Sequence, residues 1–289
     1  MISNRPSQTA ETVCLMRATD QRRPPSERIV DDPYAKLFLG PMMRAALSSW
    51  EVAGAVGRLA ERYSPGLTTF VLARHRYIDD RLRRALRGER VAQVVLLGAG
   101  YDSRAYRFAS ELRGRPVFEV DFPATGRRKD RITARHRKAF PAANVSRIET
   151  DFQTQKLTDQ LVKGGFEPEA RTFFVWEGVS MYLTRDAVKG TLTTMQELGG
   201  RGSELAMDFW YYLDQPSLLA TVYRASTSFL SLLGEPITFG IHPEDAVPFL
   251  SRLGFRTLDV ADASALEERY VTDRRRVAPG MYLVHAVAR

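Results

Sequence analysis

The sequence contains little cysteine and little histidine, with one cysteine, Cys14, and four histidines in 289 residues. A single cysteine cannot form an internal disulfide, and proteins without disulfides are typical of the reducing cytoplasm. It cannot build a cysteine-rich metal site either, and the scattered histidines lack metal-binding spacing. We therefore predict a cytoplasmic protein with no bound metal.

Long apolar runs are also absent from the sequence. No stretch of eighteen apolar residues occurs, so we predict no transmembrane helix and no membrane partner. The N-terminal stretch MISNRPSQTAETVCLMR contains no long apolar segment, which argues against a secretory signal.

The charge is predominantly positive, with a net charge of +8 and a pI near 9.7. A basic stripe would indicate a nucleic-acid partner. Here the basic residues are spread along the chain, for example at 81–84, 127–129 and 274–276, on predicted helices or loops where a solvated face is the usual outcome. No zinc-finger or aromatic RNA-binding signature accompanies them, so we predict no nucleic-acid partner.

The order of apolar patterns changes near residue 90. Residues 1–90 are predicted to form a helical N-terminal cap segment, including an amphipathic helix over 74–86. Beyond it, short apolar runs alternate with helical patterns, which predicts an α/β domain over 91–289 with a mainly parallel, doubly wound, seven-stranded sheet. The predicted strands are 93–97, 116–120, 146–150, 172–176, 203–209, 255–260 and 281–287. The predicted helices are 104–112, 124–137, 157–164, 185–198 and 243–253, with Thr184 and His242 at capping positions.

One segment, at about 211–240, interrupts this alternation. It is long, apolar and aromatic, and includes Tyr211 and Tyr223. Long insertions at the ligand edge of such sheets often act as lids, whereas a helical hairpin that extends the core is the alternative. If it is a lid, these tyrosines are candidate substrate-binding residues.

A glycine turn follows the first predicted strand, in the stretch VVLLGAGYDSRAYRF. Gly98, Ala99 and Gly100 let the chain bend sharply and let a ligand approach the backbone. The third glycine of a dinucleotide site is replaced by Ser103. Asp102 would repel a pyrophosphate, whereas it suits a ligand with positive charge, such as the ammonium and sulfonium of S-adenosylmethionine.

Acidic residues stand at the ends of the next three strands. Glu119 and Asp121 end the second strand, in FEVDFP, where a carboxylate can accept hydrogen bonds from ribose hydroxyls. Asp151 and Phe152 follow the third strand and suit an adenine amine and ring. Glu177 ends the fourth strand, where a structural ion pair is the competing interpretation.

Together these segments resemble a known family. ARHRYIDD, LLGAGYDSRAYRF, FEVDFP, DF and WEGVSMYLT, in that order, with RATDQRRPPSERIVDDPYAKLF upstream, resemble the leucine carboxyl methyltransferase family. They resemble most closely its bacterial branch of S-adenosylmethionine-dependent methyltransferases, which includes polyketide O-methyltransferases. The resemblance covers nearly the whole chain.

The resemblance implies a class I methyltransferase (Rossmann-like) fold with a helical cap and S-adenosyl-L-methionine as cofactor. Arg74 would hold the methionine carboxylate, and Glu177 would lie near the methionine end. Arg17 lies in a segment that the family folds over the active site, and Tyr182 matches an aromatic residue that closes it. The remaining cofactor-binding residues implied are Gly98, Ala99, Gly100, Asp121, Phe122, Asp151 and Phe152. A lysine of the eukaryotic members has no clear counterpart near 31–34.

The expected reaction is methyl transfer to an oxygen of a small apolar molecule. A carboxylate acceptor needs no base but requires a cation, for which Arg17, Arg22 and Arg224 are candidates. An alcohol or phenol needs a base, and the candidate catalytic residues are Tyr182, Asp208 and His242, with a helix cap the simpler interpretation of His242.

Other functions stay open at this point. They are carboxyl methylation of a protein C-terminus, RNA methylation, a nicotinamide-dependent oxidoreductase and a non-catalytic binding protein. The missing third glycine and the absence of a Tyr-x-x-x-Lys pair argue against the oxidoreductase. The oligomeric state is also open, and a homodimer is one of the options.

Overall fold

The computed structural model describes residues 6–88, 90–150, 155–211 and 237–289. Within them, seven strands form one sheet in the order β3-β2-β1-β4-β5-β7-β6. The strands are β1 (Gln93–Leu97), β2 (Val117–Asp121), β3 (Val145–Glu149), β4 (Thr172–Trp176), β5 (Glu204–Trp210), β6 (Phe255–Ala261) and β7 (Met281–Ala288). The first five strands pair in parallel, and β7 runs antiparallel to both β5 and β6. The predicted fold class is confirmed, with strand limits shifted by one residue at most.

Helices cover the sheet and precede it along the chain. They are α1 (Gln8–Asp20), α2 (Pro41–Ser48), α3 (Trp50–Tyr63), α4 (Leu67–Arg87), α5 (Arg104–Arg107), α6 (Ala109–Leu112), α7 (Pro123–Arg135), α8 (Leu157–Lys163), α9 (Arg185–Leu198), α10 (Pro243–Arg252) and α11 (Ala263–Tyr270). No helix of the described ranges is long and apolar enough to cross a membrane.

Two helical predictions differ from the structure. The predicted helix 104–112 is divided into α5 and α6 at the fully buried Phe108, whose backbone leaves helical geometry at φ −107° and ψ 22°. Helix α11 was not predicted, although Asp262 caps it by accepting a hydrogen bond from the Ala265 amide at 2.9 Å. Thr184 caps α9 in the same way, whereas the His242 side chain does not cap α10.

Successive residues of the central strands enter two different cores. Val94 and Leu96 of β1 pack on the face covered by α4, and Val95 and Leu97 pack on the face covered by α8, α9 and α10. Burial on both faces explains why these strands are continuously apolar. The first core contains residues from both sides of residue 90, so the N-terminal helices and the sheet share a core.

Asp20 joins the N-terminal segment to the loop between α11 and β7. Its Oδ2 accepts hydrogen bonds from the Ile29 and Val30 amides at 2.8 and 2.9 Å, and its Oδ1 pairs with Arg275 Nη1 at 3.0 Å. The Asp20 side chain is completely buried. One carboxylate therefore satisfies three donors that would otherwise be left without partners.

Replacement of Asp20 by alanine should lower the free energy of unfolding by about 2–4 kcal/mol, because buried donors lose their acceptor. Denaturant titration measures this change. The control is Asp80→Ala, because Asp80 is one-third exposed and pairs with Arg76 on the surface of α4. That variant should lose no more than about 1 kcal/mol, and equal losses in the two variants would contradict the role of Asp20.

Candidate functional site

A cavity of about 680 Å³ opens at the carboxyl ends of β1, β2 and β4. The strand order reverses between β1 and β4, and ligands of open α/β sheets bind at such a switch point. Helices α1, α2 and α4 contribute the opposite wall. The predicted residues that line the cavity are Arg17, Arg74, Gly98, Ala99, Gly100, Asp121, Phe122, Glu177 and Tyr182.

The other predicted site residues are placed differently. Asp208, Tyr211 and His242 are not among the described residues that line the cavity. The Tyr211 and His242 rings contact each other, with centroids 5.5 Å apart. Asp151, Phe152 and Tyr223 lie outside the described residues, as do Arg224 and most of the predicted lid.

The glycine turn has a geometry that side chains would disturb. Gly98 has φ +67°, and a Cβ there would lie 2.2 Å from Val179 Cγ2. Gly100 has φ +48°, and a Cβ there would lie 3.2 Å from the Ala10 Cβ in α1. Both glycines are therefore required by backbone conformation and by close packing.

The Asp121 carboxylate fixes the end of this turn. It accepts hydrogen bonds from the Gly100 amide and from the Phe122 amide, the latter at 2.6 Å. Burial raises the pKa of Asp121 to about 6, although the two amides and Lys129 act in the opposite direction. At neutral pH the group is mainly an ionised acceptor facing the cavity.

Beside the turn lies a group of buried charges that we call the ionic cluster. It comprises Arg17, Asp32, Arg74, His75, Asp79, Asp102, Arg104, Arg107, Glu177 and Asp208. Its five carboxylates outnumber its four guanidinium groups, so the cluster has a surplus negative charge when all are ionised and His75 is neutral.

Arg74, on α4, is oriented by two carboxylates. Its Nε donates to Glu177 Oε1 at 3.1 Å and its Nη1 to Asp208 Oδ2 at 3.0 Å. The Gly178 amide donates to the other Asp208 oxygen at 2.6 Å. A Cβ at Gly178 would lie 3.1 Å from Arg74 Nη2, so this glycine keeps one side of the guanidinium open. Asp208 is fully buried, and its geometry is that of a residue that orients Arg74.

Glu177 is contacted by Arg74, Arg104 and His75. Its Oε2 lies 3.1 Å from His75 Nδ1 and 2.8 Å from Arg104 Nη1. Burial alone would raise its pKa, but His75, Arg104 and Arg74 outweigh burial and hold the pKa well below the usual range. Glu177 therefore stays ionised at the edge of the cavity.

His75 is held as a neutral ring. Burial and the neighbouring Arg104 lower its pKa. Arg107 Nη2 lies 2.8 Å from His75 Nε2, and both Glu177 Oε2 and Arg104 Nη2 lie near Nδ1, at 3.1 and 3.0 Å. His75, Asp79 and Arg104 were not predicted as site residues. Their charged runs, ARHRYIDD and DSRAYR, were the available signal, but a charged helix usually indicates a solvated face.

Asp102 is less exposed to a ligand than its position in the turn suggests. It accepts a hydrogen bond from the Arg104 amide at 2.7 Å and pairs with the Arg104 guanidinium. Burial alone would raise the Asp102 pKa, but Arg104, His75 and Lys129 together lower it, so the carboxylate is ionised and compensated within the protein.

The cavity is largely apolar. Much of its lining is formed by Met16 of α1, Met42 and Met43 of α2, and Met181, together with Tyr182, Trp210 and neighbouring aliphatic side chains. Met16 and Met181 belong to the first core, whereas Met43 packs near Tyr101 beside the glycine turn. Methionine side chains are flexible and polarisable, so they adapt to apolar and aromatic ligands. In the described part of the chain, no group of three metal-ligating side chains could hold a metal ion.

The strand order and the cavity at the switch point define a class I methyltransferase-type fold. The sequence profile of the leucine carboxyl methyltransferase family matches residues 10–196. The chain belongs to this family, as the resemblance predicted.

Two bacterial relatives have names that describe them provisionally as S-adenosyl-L-methionine-dependent methyltransferases. The protein of Frankia alni is 30% identical over 276 residues, which cover 94% of this chain and 89% of that protein. The protein of Saccharopolyspora erythraea is 33% identical over 200 residues, which cover 69% of this chain and 66% of that protein. The latter match therefore spans just under two thirds of its length.

Two solved structures share the fold. A DUF574 family protein from Streptomyces avermitilis superposes with a TM-score of 0.61 at 14% identity, covering 95% of this chain and 97% of the other. A protein from Thermobifida fusca, described provisionally as a methyltransferase, gives a TM-score of 0.61 at 13% identity. The match covers 99% of this chain and 96% of the other. At this identity the likeness extends to the fold alone.

Replacement of Gly98 by alanine should destabilise the protein by about 1–3 kcal/mol, because the new methyl group overlaps Val179 and the backbone has positive φ. The double variant Gly98→Ala/Val179→Ala should recover part of the loss, since it removes the overlap but not the backbone strain. Thermal unfolding of both variants measures the difference.

Gly190→Ala provides the matched control. Gly190 lies within α9, and a Cβ there has no neighbour within 4 Å. That variant should be neutral or more stable by up to about 1 kcal/mol. A Gly98→Ala protein as stable as this control would contradict the structure of the turn.

Proposed function

We propose that this chain is an S-adenosyl-L-methionine-dependent O-methyltransferase that acts on a carboxylate or hydroxyl of a small apolar molecule. The observation that carries the proposal is one cavity whose lining combines specific polar groups with a large apolar surface. The glycine turn, Asp121, Arg74 and Glu177 supply the polar groups, and four methionines belong to the apolar surface.

The polar groups of the lining offer a partner for each part of the cofactor. Asp121 would accept hydrogen bonds from the ribose hydroxyls, and the backbone at Gly98 and Gly100 would approach the nucleoside. Glu177 would pair with the ammonium group and the open side of Arg74 with the carboxylate. The adenine would contact Phe122, together with Asp151 and Phe152 outside the described residues.

The charge of the ionic cluster supports the same assignment. A ligand with one ammonium, one sulfonium and one carboxylate has a net charge of +1. The surplus negative charge of the cluster complements it, whereas a dinucleotide would bring phosphate charges toward Asp121 and Glu177.

The chemistry needs little from the protein beyond positioning. When bound, the cofactor supplies an activated methyl group on a sulfonium, which becomes a thioether as the methyl passes to an acceptor oxygen. The apolar side chains of the lining would orient the acceptor and exclude water. A carboxylate acceptor would need no base, whereas a hydroxyl would need a group to take its proton, for which Tyr182 is the candidate that lines the cavity.

The segment organisation follows the same division. Residues 1–90 would form a cap whose helix α1 covers the glycine turn, and residues 91–289 would form the cofactor-binding domain. Glu11 of α1 pairs with Arg128 of α7 at 2.8 Å and so closes the cavity on that side.

Arg17 would stabilise the packing of the N-terminal cap more than it would bind the acceptor. It lines the cavity, but its Nη2 donates to the Tyr101 carbonyl at 2.7 Å and its Nη1 contacts His75 Nε2 at 3.3 Å. Its guanidinium is therefore directed into the protein, and an acceptor carboxylate would have to displace one of these contacts.

Replacement of Arg74 by lysine should weaken S-adenosylhomocysteine binding by about 10- to 100-fold, because one ammonium cannot replace two directed charge-assisted hydrogen bonds. Binding of 5′-methylthioadenosine, which lacks the amino-acid part, should change far less. Isothermal titration calorimetry with both ligands measures the two losses.

Arg76→Lys is the matched control for this variant. Arg76 is two residues away on the same helix, is 41% exposed and pairs with Asp80. It should bind both ligands as the unchanged protein does. Equal losses for both ligands in Arg74→Lys would contradict a contact between Arg74 and the methionine carboxylate.

Methyl-labelled S-adenosylmethionine should label a small apolar molecule in an extract of the organism that encodes the chain. Label released by mild alkali as methanol identifies a methyl ester, and alkali-stable label identifies an ether. The Arg74→Lys protein serves as the low-activity control. Label confined to protein or RNA fractions, or transferred to nitrogen, would contradict the proposed acceptor.

A further inference from the structure

A second cavity, of about 60 Å³, lies on the other side of the Asp121 carboxylate. Ala99, Gly100 and Asp121 line both this small cavity and the main one. Its remaining wall includes Glu119 of β2 and Lys129 of α7. Asp121 therefore lines both the main cavity and the small cavity.

Lys129 is unusual because it is a lysine with only 1% of its surface exposed. Its Nζ lies 2.8 Å from Glu119 Oε2, but it makes no hydrogen bond of acceptable direction within the described residues. Glu119 Oε1 also has no hydrogen-bond partner there. Buried polar atoms in native proteins nearly always have partners, and this cavity has the size and polarity to hold ordered water between them.

The ion pair with Glu119 does not by itself explain the buried lysine. Arg147 Nε already donates to Glu119 Oε2 at 3.0 Å, so Glu119 has a cation without Lys129. Glu119 and Asp121 point to the same face of β2, because side chains alternate along a strand. Helix α7 begins directly after Phe122, and its Lys129 lines the small cavity together with both carboxylates.

We propose that Lys129 is a positioning residue for Asp121. Across the small cavity, its ammonium group favours the ionised Asp121 carboxylate, which accepts hydrogen bonds from the cofactor's ribose hydroxyls. This inference rests on the proposed function, since it assigns Asp121 to the ribose.

The charges around Asp121 change its pKa in opposite directions. Burial raises the pKa of Asp121 to about 6, Lys129 lowers it and Glu119 raises it. The other charged groups that line the two cavities near it are Glu11, Arg128, Asp130, Arg147 and Glu149. A carboxyl whose pKa is raised is ionised only above that pKa, so cofactor affinity should be constant above pH 7 and fall as the pH drops through 6.

The experiment measures the affinity for S-adenosylhomocysteine between pH 5 and 9 in the full chain. Lys129→Met should move the acidic fall in affinity upward by about one pKa unit, the lower end of what a neighbouring charge produces. Binding should then be about threefold weaker at pH 6.5 and unchanged at pH 8.5. Lys129→Arg keeps the charge and should keep the profile, and Glu119→Gln should move the fall to lower pH.

The double variant Lys129→Met/Glu119→Gln removes both charges, so it avoids leaving one of them without its partner. Its profile should lie between those of the two single variants. Asp121→Asn should remove the fall near pH 6 and identify Asp121 as the titrating group, separately from Asp208 and His75.

The outcomes separate this inference from the proposed function. If Lys129→Met weakens binding equally at every pH, or leaves the acidic fall in place, the positioning role is wrong. If the unchanged protein does not bind S-adenosylhomocysteine at any pH, the proposed function itself fails. A pH profile that is shifted in Lys129→Met and unchanged in Lys129→Arg supports both the positioning role and the proposed function.

Discussion

The ionic cluster is the interaction on which the site depends. Removing guanidinium and carboxylate groups from water costs several kcal/mol for each ion, and only well-directed pairing offsets this cost. Arg104 and Arg74 both contact Glu177, and they come from different parts of the chain. The pairing therefore fixes α4, the glycine turn and the end of β4 relative to one another. Loss of a single member would leave its partners buried and uncompensated.

Helix α4 contributes both to the first core and to the ionic cluster. One face of α4 packs Phe70, Tyr77 and Ile78 into the first core, while Arg74 and Asp79 point toward the cluster. The same helix therefore makes apolar contacts with the sheet and an ion pair with Asp208 of β5. This arrangement makes the N-terminal segment part of the cavity wall, and α1 packs against the glycine turn.

Much of the fold follows from local sequence patterns, whereas the site partners depend on contacts between distant residues. Continuous apolar runs such as VVLL and FFVW predict strands buried on both faces, and the strand limits agree within a residue. The division at Phe108 comes from tertiary burial that periodicity does not reveal. Arg104 and His75 look like ordinary charged helix residues in the sequence. Their burial depends on Glu177 and Asp79, about 70 and 25 residues away from Arg104 along the chain.

The cavity lining is built from different kinds of structure. Strand ends and buried ion pairs form one part of the lining, where any change disturbs several partners at once. Helices α1 and α2 contribute side chains nearer the surface, among them Met42, which is 81% exposed. Surface segments accept substitution far more easily than a satisfied buried network. If the polar part of the lining holds the cofactor, as proposed, substitutions among the surface side chains of α1 and α2 can change the acceptor while the cofactor contacts stay fixed.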